Sequence, residues 1–210
     1  MSQSYLTGVN EFLDDLASAN ATPGGGAAAA IVGGITAALT SMVANLTIGK
    51  KKYAEVEDQA RSILERATAL RGTLLAAYDE DVEAFDKVMA AFKLPKDSDA
   101  DKAARQDPIQ SATKDATLTP MRCAEAAIEG LNLALEIAKI GNTNAISDAG
   151  AGSLALVAAA YAATLNMRIN LGSIADESFK NTHAAKVEEL ESTATKLGNE
   201  VRAIVLSKIA

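Results

Sequence analysis

Two long stretches rich in alanine constrain the fold of this chain more than any other feature of its sequence. The first covers residues 27–48 and has no charged side chain, and the second covers residues 145–167 with Asp148 as its one charge. Alanine has the highest intrinsic helix propensity, whereas strands favour β-branched and aromatic residues. Each stretch therefore predicts a helix with small residues on several sides, as in a helix buried among others.

The first stretch is also long enough to cross a membrane, because it lacks a charge over more than 20 consecutive positions. Its content of Ala, Gly, Ser and Thr, together with Asn45, makes it less apolar than typical membrane spans. We therefore interpret it as a buried helix and expect no membrane partner.

Apolar residues recur at three- and four-residue spacing through most of the remaining chain, which is the pattern of amphipathic helices. This pattern predicts helices over residues 4–19, 53–92 and 120–140 and from Asp176 to the C-terminus. Thr119 and Pro120 supply the N-cap and the first helical residue of the third helix. Residues 99–117 are polar and predict an exposed helix or a partly ordered excursion, interrupted at Pro108.

No stretch shows the alternating pattern of a β-strand, and no linker divides the chain. We therefore predict an all-α fold, a long-helix bundle with two central alanine-rich helices and no sheet. The sequence predicts a single helical domain over residues 1–210. The smooth faces of the small-residue helices also suit the interface of a homodimer.

The charge balance and the cysteine content narrow the functional class. Twenty basic and 27 acidic side chains give a net charge of −7, which argues against nucleic acid as the main partner. A lone cysteine and the absence of a signal-peptide pattern in residues 1–5 predict a cytoplasmic protein. Cys123 and His183 are the only residues of their types and lie far apart in sequence, so we expect no metal site.

A proline followed by three glycines precedes the first alanine-rich stretch, within the run from Thr22 to Gly26. Glycine adopts positive φ freely, so this run predicts a sharp turn that leads directly into a helix. Free N–H groups at such a helix start favour an anion, and a tight turn for close helix packing is the alternative. Gly24, Gly25 and Gly26 are therefore candidate ligand-contacting residues.

Asp79, Glu80 and Asp81 lie in the middle of the helix predicted over residues 53–92. An acidic run of this kind is typical of a solvated helix face. Asp81, however, shares a face with the apolar Val88, and apolar surroundings raise the pKa of a carboxyl group toward the range used in acid–base catalysis. Asp81 is therefore a candidate catalytic residue.

Polar side chains lie at both ends of the second alanine-rich helix. Asn144 and Asp148 share a face near its start, and Asn166 and Asn170 share a face near its end. Helix capping accounts for some of these residues, and the others invite a ligand. Arg168 can bind a carboxylate through two parallel hydrogen bonds or can compensate the helix dipole.

Lys50, Lys51 and Lys52 follow the first alanine-rich helix. They can compensate the negative end of that helix, extend into solvent or reach the acidic tail of a ligand. All three are therefore candidate binding residues.

Several short segments resemble one family when they are taken in chain order. They are TPGGGAAA (22–29), MVANLTIGKK (42–51), DEDVEAF (79–85), LPK (94–96), GN (141–142), SDAG (147–150) and NMRINL (166–171). The chain thereby resembles the cyclodeaminase/cyclohydrolase family of folate enzymes. This family includes the C-terminal half of formiminotransferase-cyclodeaminase and stand-alone bacterial methenyltetrahydrofolate cyclohydrolases.

The resemblance implies an all-helical, dimeric enzyme that acts on a one-carbon unit bridging N5 and N10 of tetrahydrofolate. It implies no cofactor beyond the folate substrate. The proposed acid–base aspartate of the family matches Asp81, with Asp79 as the fallback. The family usually has serine after the three glycines, where this chain has Ala27, so no hydroxyl role is carried over to that position.

We therefore expect reversible, metal-independent hydrolysis of 5,10-methenyltetrahydrofolate to 10-formyltetrahydrofolate. The amidinium carbon is already electrophilic, so one carboxylate suffices to take a proton from water and deliver it to N5. Asp81 is predicted to be this base and then acid, with Asp148 and Asn144 orienting the pterin or the water. The three lysines or Arg168 would meet the glutamate carboxylates of the folate.

Two alternatives stay open at this point. A formimidoyltetrahydrofolate cyclodeaminase, in which N10 attacks the formimino carbon and ammonia leaves, uses the same scaffold and carboxylate. The lack of a formiminotransferase domain in this sequence favours the cyclohydrolase. A non-catalytic folate-binding or assembly module predicts binding without turnover.

Overall fold

The computed structural model describes residues 6–209. The first five residues, which include Tyr5 of the helix predicted over residues 4–19, lie outside this described part. Within this range the chain forms seven α-helices and two short 3₁₀ helices, and no strand. The α-helices are α1 (Leu6–Leu16), α2 (Gly25–Thr47), α3 (Glu57–Phe92), α4 (Asp99–Ala104), α5 (Gln106–Ile140), α6 (Ile146–Leu171) and α7 (Glu177–Ile209). The 3₁₀ helices are Lys51–Val56 and Thr143–Ala145. The predicted all-α fold is confirmed.

Four long helices, α2, α3, α5 and α6, form a ring in which each helix packs against two neighbours. Helix α7 lies in the groove between α5 and α6. Asp176 caps α7 as predicted, because its Oδ1 accepts a hydrogen bond from the Phe179 backbone N–H at 3.0 Å. Helix α1 joins the bundle through an edge-to-face contact between the rings of Phe12 and Tyr78.

Helices α2 and α6 run antiparallel. The start of α2 meets the end of α6, where a Cβ on Gly25 would lie 3.4 Å from Asn166 Nδ2. At the opposite end, the Asn142 backbone N–H donates to Thr47 Oγ1 and its side-chain Nδ2 donates to the Leu46 carbonyl. This arrangement creates two distinct ends of the bundle, and both carry predicted site residues.

The boundaries predicted for the helix over residues 120–140 were wrong. Helix α5 is continuous from Gln106 to Ile140, so Pro108 does not interrupt it and Thr119-Pro120 does not begin it. Pro108 lies in the first turn, where backbone N–H groups have no intrahelical partner in any case. Pro120 lies in the interior, and the carbonyl that it leaves unpaired finds a side-chain donor on α6, described below.

The glycine run before α2 does not use the backbone freedom that the sequence suggested. Among the described residues only Gly49, just after α2, has positive φ, at 72°. Gly24 is extended at φ −126° and is the N-cap of α2, and Gly25 and Gly26 are already helical. The reason for glycine in this run is therefore steric, and it concerns Gly26 in particular.

Helices α2 and α6 are each long and apolar enough to span a membrane by length and composition alone, and each is partly buried in the bundle. One face of each remains uncovered. Large apolar side chains exposed on these faces are Ile35, Met42, Leu46, Leu154, Leu165 and Ile169. The two central helices therefore combine a buried face with an unpartnered apolar one.

Candidate active site

A cavity of about 360 Å³ lies where the start of α2 meets α3, α5 and the end of α6. Its lining includes five of the predicted site residues, which are Gly24, Gly25, Asp81, Asn166 and Asn170. These residues come from three separate segments of the sequence, so the fold assembles them. We call this space the first cavity.

Asp81 projects from α3 directly onto the N-terminus of α2. A Cβ on Gly26 would lie 2.2 Å from Asp81 Oδ1 and 2.6 Å from its Cγ, so only glycine leaves room for this carboxyl group. The Asp81 carboxylate accepts a hydrogen bond from the backbone N–H of Ala27. The anion at the start of α2 is thus a side chain of the protein itself, placed where the helix dipole favours negative charge.

The pKa of Asp81 is raised above its ordinary value. Burial is the main cause, because it disfavours the charged form, and the hydrogen bond from Ala27 opposes it in part. Behind Asp81 lies the buried thiol of Cys123, whose pKa burial and the Asp81 charge raise to about 11. The thiol is therefore protonated at neutral pH and is a poor nucleophile.

The rest of the first cavity is mainly apolar. Side chains of α3 and α6 form this apolar wall, namely Ala84, Phe85, Val88, Phe92 and Ile169. Asp81 is the single charged side chain among the described residues that line the cavity. A flat heterocycle with a positive charge fits this combination of an apolar wall and one carboxylate.

A second cavity, of about 530 Å³, lies at the opposite end of the α2–α6 pair. Its lining includes Lys50, Lys52, Asn144 and Asp148, together with Tyr53. Hydrogen bonds from Thr143 are the largest cause of a lowered pKa at Tyr53. Helix α2 has 23 residues, so about 35 Å separates the two cavities within one chain.

Four predicted site residues line neither cavity, and one of them, Gly26, instead packs against Asp81. Arg168 pairs with Glu188 at 2.7 Å and with Glu191 at 2.9 Å, and these carboxylates raise its pKa. Asp79 and Lys51 are exposed on the surface. The structure therefore gives Arg168 a role in joining α6 to α7, and it separates Asp79 from Asp81.

The sequence did not point to the contribution of α5. Thr113 and Ala116 line the first cavity one helical turn apart. They were missed because the proline-containing region was not predicted as part of a long helix. Their three-residue spacing is the signal that a continuous helix would have revealed.

Among residues 6–209 no group of three or more His, Cys, Asp or Glu side chains is placed to hold a metal ion. The first cavity therefore offers one carboxylate, two side-chain amides and an apolar wall. Such a site can bind a small heterocycle, balance a positive charge and move a proton.

The all-α bundle and the first cavity define the class as a helical protein with a site suited to a small heterocycle. Comparisons with known proteins identify the family. The sequence model of the formiminotransferase-cyclodeaminase family matches residues 8–189. The chain belongs to this family.

One relative is similar along its whole length. The methenyltetrahydrofolate cyclohydrolase of Methylorubrum extorquens is 46% identical over 201 residues, which are 96% of this chain and 97% of the relative. The formimidoyltransferase-cyclodeaminase of Gallus gallus is 31% identical over 198 residues, 94% of this chain and 36% of that longer protein. The crystal structure of a formiminotetrahydrofolate cyclodeaminase from Thermotoga maritima matches with a TM-score of 0.86 at 31% identity, covering 96% of this chain and 97% of the other.

Proposed function

We propose that this protein hydrolyses 5,10-methenyltetrahydrofolate to 10-formyltetrahydrofolate, in a reversible reaction that uses Asp81 as its acid and base. The observation that carries this proposal is the position of Asp81, the single charged side chain among residues 6–209 that lines the first cavity. The similarity to a cyclohydrolase along the whole chain supports it, at 46% identity.

The substrate suits the cavity because its one-carbon bridge is a cation. The carboxylate of Asp81 provides the opposite charge, and an apolar, poorly solvated site strengthens that attraction. The wall formed by Phe85, Val88, Phe92 and Ile169 would receive the flat pterin ring. Gly24 and Gly25 let the backbone lie close to the ligand at the mouth of the cavity.

The chemistry needs one group that first accepts and then donates a proton. Water attacks the amidinium carbon, and Asp81 takes one proton from it, which gives a neutral hydroxyl adduct. The bond from N5 to that carbon then breaks as Asp81 delivers the proton to N5. The adduct hydroxyl loses its proton to solvent and becomes the carbonyl of the N10-formyl group. A carboxyl group of raised pKa suits both transfers.

The second candidate is formimidoyltetrahydrofolate cyclodeaminase activity. The similarity of the fold to a cyclodeaminase of Thermotoga maritima, with a TM-score of 0.86, supports this second candidate. In that reaction N10 attacks the formimino carbon and Asp81 protonates the departing ammonia.

The methenyl chromophore distinguishes these functions. We expect the purified protein to accelerate loss of the chromophore from 5,10-methenyltetrahydrofolate. Gain of the chromophore from formimidoyltetrahydrofolate, with release of ammonia, would instead assign the cyclodeaminase. Binding of tetrahydrofolate without either turnover would identify a non-catalytic folate-binding module and contradict both enzymatic functions.

We propose further that two copies form the active enzyme through the uncovered faces of α2 and α6. A two-fold axis that reverses the helix direction would place the Lys50–Lys52 end of one copy against the Asp81 end of the other. A two-fold axis that left the helices parallel would instead bring two Asp81 ends together, which repulsion between the like charges disfavours. In the antiparallel arrangement Lys50 and Lys52 of the partner subunit bind the glutamate carboxylates of the folate. Asn144 and Asp148 of the partner subunit complete the site at the first cavity.

This dimer predicts the behaviour of a charge placed at the centre of the α2 face. Ile35 is 57% exposed and lines neither cavity. We expect Ile35→Glu to sediment as a monomer of 21.7 kDa and to lose most turnover, while wild type sediments at twice that mass. Leu206→Glu, on α7 at 50% exposure, is the matched control and should stay dimeric and active. Sedimentation of wild type as a monomer would contradict the dimer, and so would binding of a wild-type monomer to lipid vesicles through the α2 face.

A further inference from the structure

Pro120 creates an unpaired carbonyl in the wall of the first cavity. It lies inside α5, and proline has no backbone N–H. The carbonyl of Ala116, four residues earlier, therefore lacks its usual partner within the helix. Ala116 lines the first cavity, so the carbonyl that proline frees belongs to a residue of the site.

Asn170 of α6 supplies the missing donor. Its side-chain Nδ2 donates to the Ala116 carbonyl at 2.8 Å. A carbonyl oxygen only accepts hydrogen bonds, so this contact determines which end of the amide faces α5. The other end, Oδ1, receives no hydrogen bond from a described residue.

Asn166 is held in the same sense one helical turn earlier. Its Nδ2 donates to the Ala162 carbonyl at 2.8 Å, and its Oδ1 receives no hydrogen bond from the part of the chain that the structure describes. Both side chains line the first cavity, and so does the carboxylate of Asp81. Each of these three residues therefore keeps at least one amide or carboxylate oxygen available as a hydrogen-bond acceptor.

We propose that Pro120 is a positioning residue that makes the first cavity selective for a ligand edge of N–H donors. By freeing the Ala116 carbonyl it holds the Asn170 amide with its oxygen toward the ligand, beside the oxygen of Asn166. Given the proposed function, the matching edge is the amino group and adjacent ring N–H of the pterin. An amide free to turn would offer N–H or oxygen equally and would discriminate less.

Replacing Pro120 with alanine tests this role. The backbone N–H that alanine restores at this position would compete with Asn170 for the Ala116 carbonyl. We expect Pro120→Ala to raise the KM for 5,10-methenyltetrahydrofolate about threefold to tenfold, with kcat within about twofold, as for loss of one oriented hydrogen bond. Pro108→Ala, in the first turn of the same helix and outside both cavities, is the matched control and should leave both constants unchanged.

A double-mutant cycle separates positioning from a general effect on packing. Asn170→Ala should raise KM by at least as much as Pro120→Ala, and adding Pro120→Ala to it should change KM no further. Additive effects of the two substitutions would overturn the proposal. So would an unchanged KM in Pro120→Ala, or an equal change in Pro108→Ala.

Two measurements do not depend on turnover. Tetrahydrofolate should bind wild type at least about tenfold more tightly than its analogue with a methyl group in place of the 2-amino group, and Asn170→Ala should lose this preference. Hydrogen exchange of the Asn170 side-chain amide, followed by NMR, should be slower in wild type than in Pro120→Ala. Equal exchange rates in wild type and Pro120→Ala would refute the positioning role even if the protein proves inactive on folates. Slower exchange in wild type without folate binding would refute only the proposed function.

Discussion

Asp81→Asn should lower kcat on 5,10-methenyltetrahydrofolate by about 10²-fold to 10⁴-fold, the range expected for loss of a general acid–base group. The amide has nearly the shape of the carboxyl group, and its oxygen can still accept the hydrogen bond from Ala27. The fold should therefore survive, while proton transfer and the attraction of the carboxylate for the substrate cation are lost. Turnover kinetics and thermal unfolding of the two proteins measure the two effects.

The same substitution should not destabilise the protein at neutral pH. Burial raises the pKa of Asp81 in the folded state above its unfolded value. The group therefore contributes stability below its unfolded pKa, and that contribution is lost as the pH rises through the folded pKa. At neutral pH the buried charge is a cost that asparagine removes, so we expect the free energy of unfolding of Asp81→Asn to equal or exceed that of wild type.

Asp79→Asn is the matched comparison, because Asp79 lies two residues earlier in α3 and is exposed. Its turnover should stay within about twofold of wild type, as for a surface charge distant from the reacting atoms. Loss of turnover in Asp79→Asn with retention in Asp81→Asn would transfer the proton-carrying role to Asp79.

Gly26→Ala should lower kcat by about 10²-fold without unfolding the protein, because a small misplacement of a catalytic group has effects of this size. The new Cβ would lie 2.2 Å from Asp81 Oδ1, so the carboxyl group must move. The cost to folding is small, because the displaced atoms are the end of a side chain and alanine favours the helix. Steady-state kinetics with 5,10-methenyltetrahydrofolate would measure the loss.

Gly72→Ala controls for the general effect of alanine at a helical glycine. A Cβ at Gly72 meets nothing within 4 Å, and Gly72 lies in α3 outside both cavities. We expect it to retain full turnover and to be at least as stable as wild type. Equal activity of Gly26→Ala and wild type would show that Asp81 does not need its position against α2.

The helices and the main carboxylate were predictable because they depend on local patterns. Alanine content and the scarcity of charged residues identified α2 and α6, and apolar spacing identified α3. Asp81 was distinguishable from Asp79 by its apolar neighbours at helical spacing and by the motif that it shares with the folate enzymes. These signals need no knowledge of how distant segments meet.

The remaining features depend on contacts between distant segments. Pro120 looks like a helix start from its neighbours alone, and the donor that allows it inside α5 is Asn170, 50 residues later in the sequence. Gly26 is required because Asp81 of α3 lies against it. The glycine run alone does not predict this contact. The separation of Lys50 and Asp148 from Asp81 follows from the antiparallel packing of α2 and α6.

The most direct test of Asp81 as the proton carrier is the pH dependence of kcat/KM for 5,10-methenyltetrahydrofolate in wild type and Asp81→Asn. We expect wild-type activity to fall at low pH as Asp81 is protonated, with an apparent pKa above the ordinary aspartate value of about 4. We also expect the residual activity of Asp81→Asn to lack this acid limb. An acid limb at or below pH 4 in wild type, or the same limb in both proteins, would contradict the assignment of Asp81 as the proton carrier.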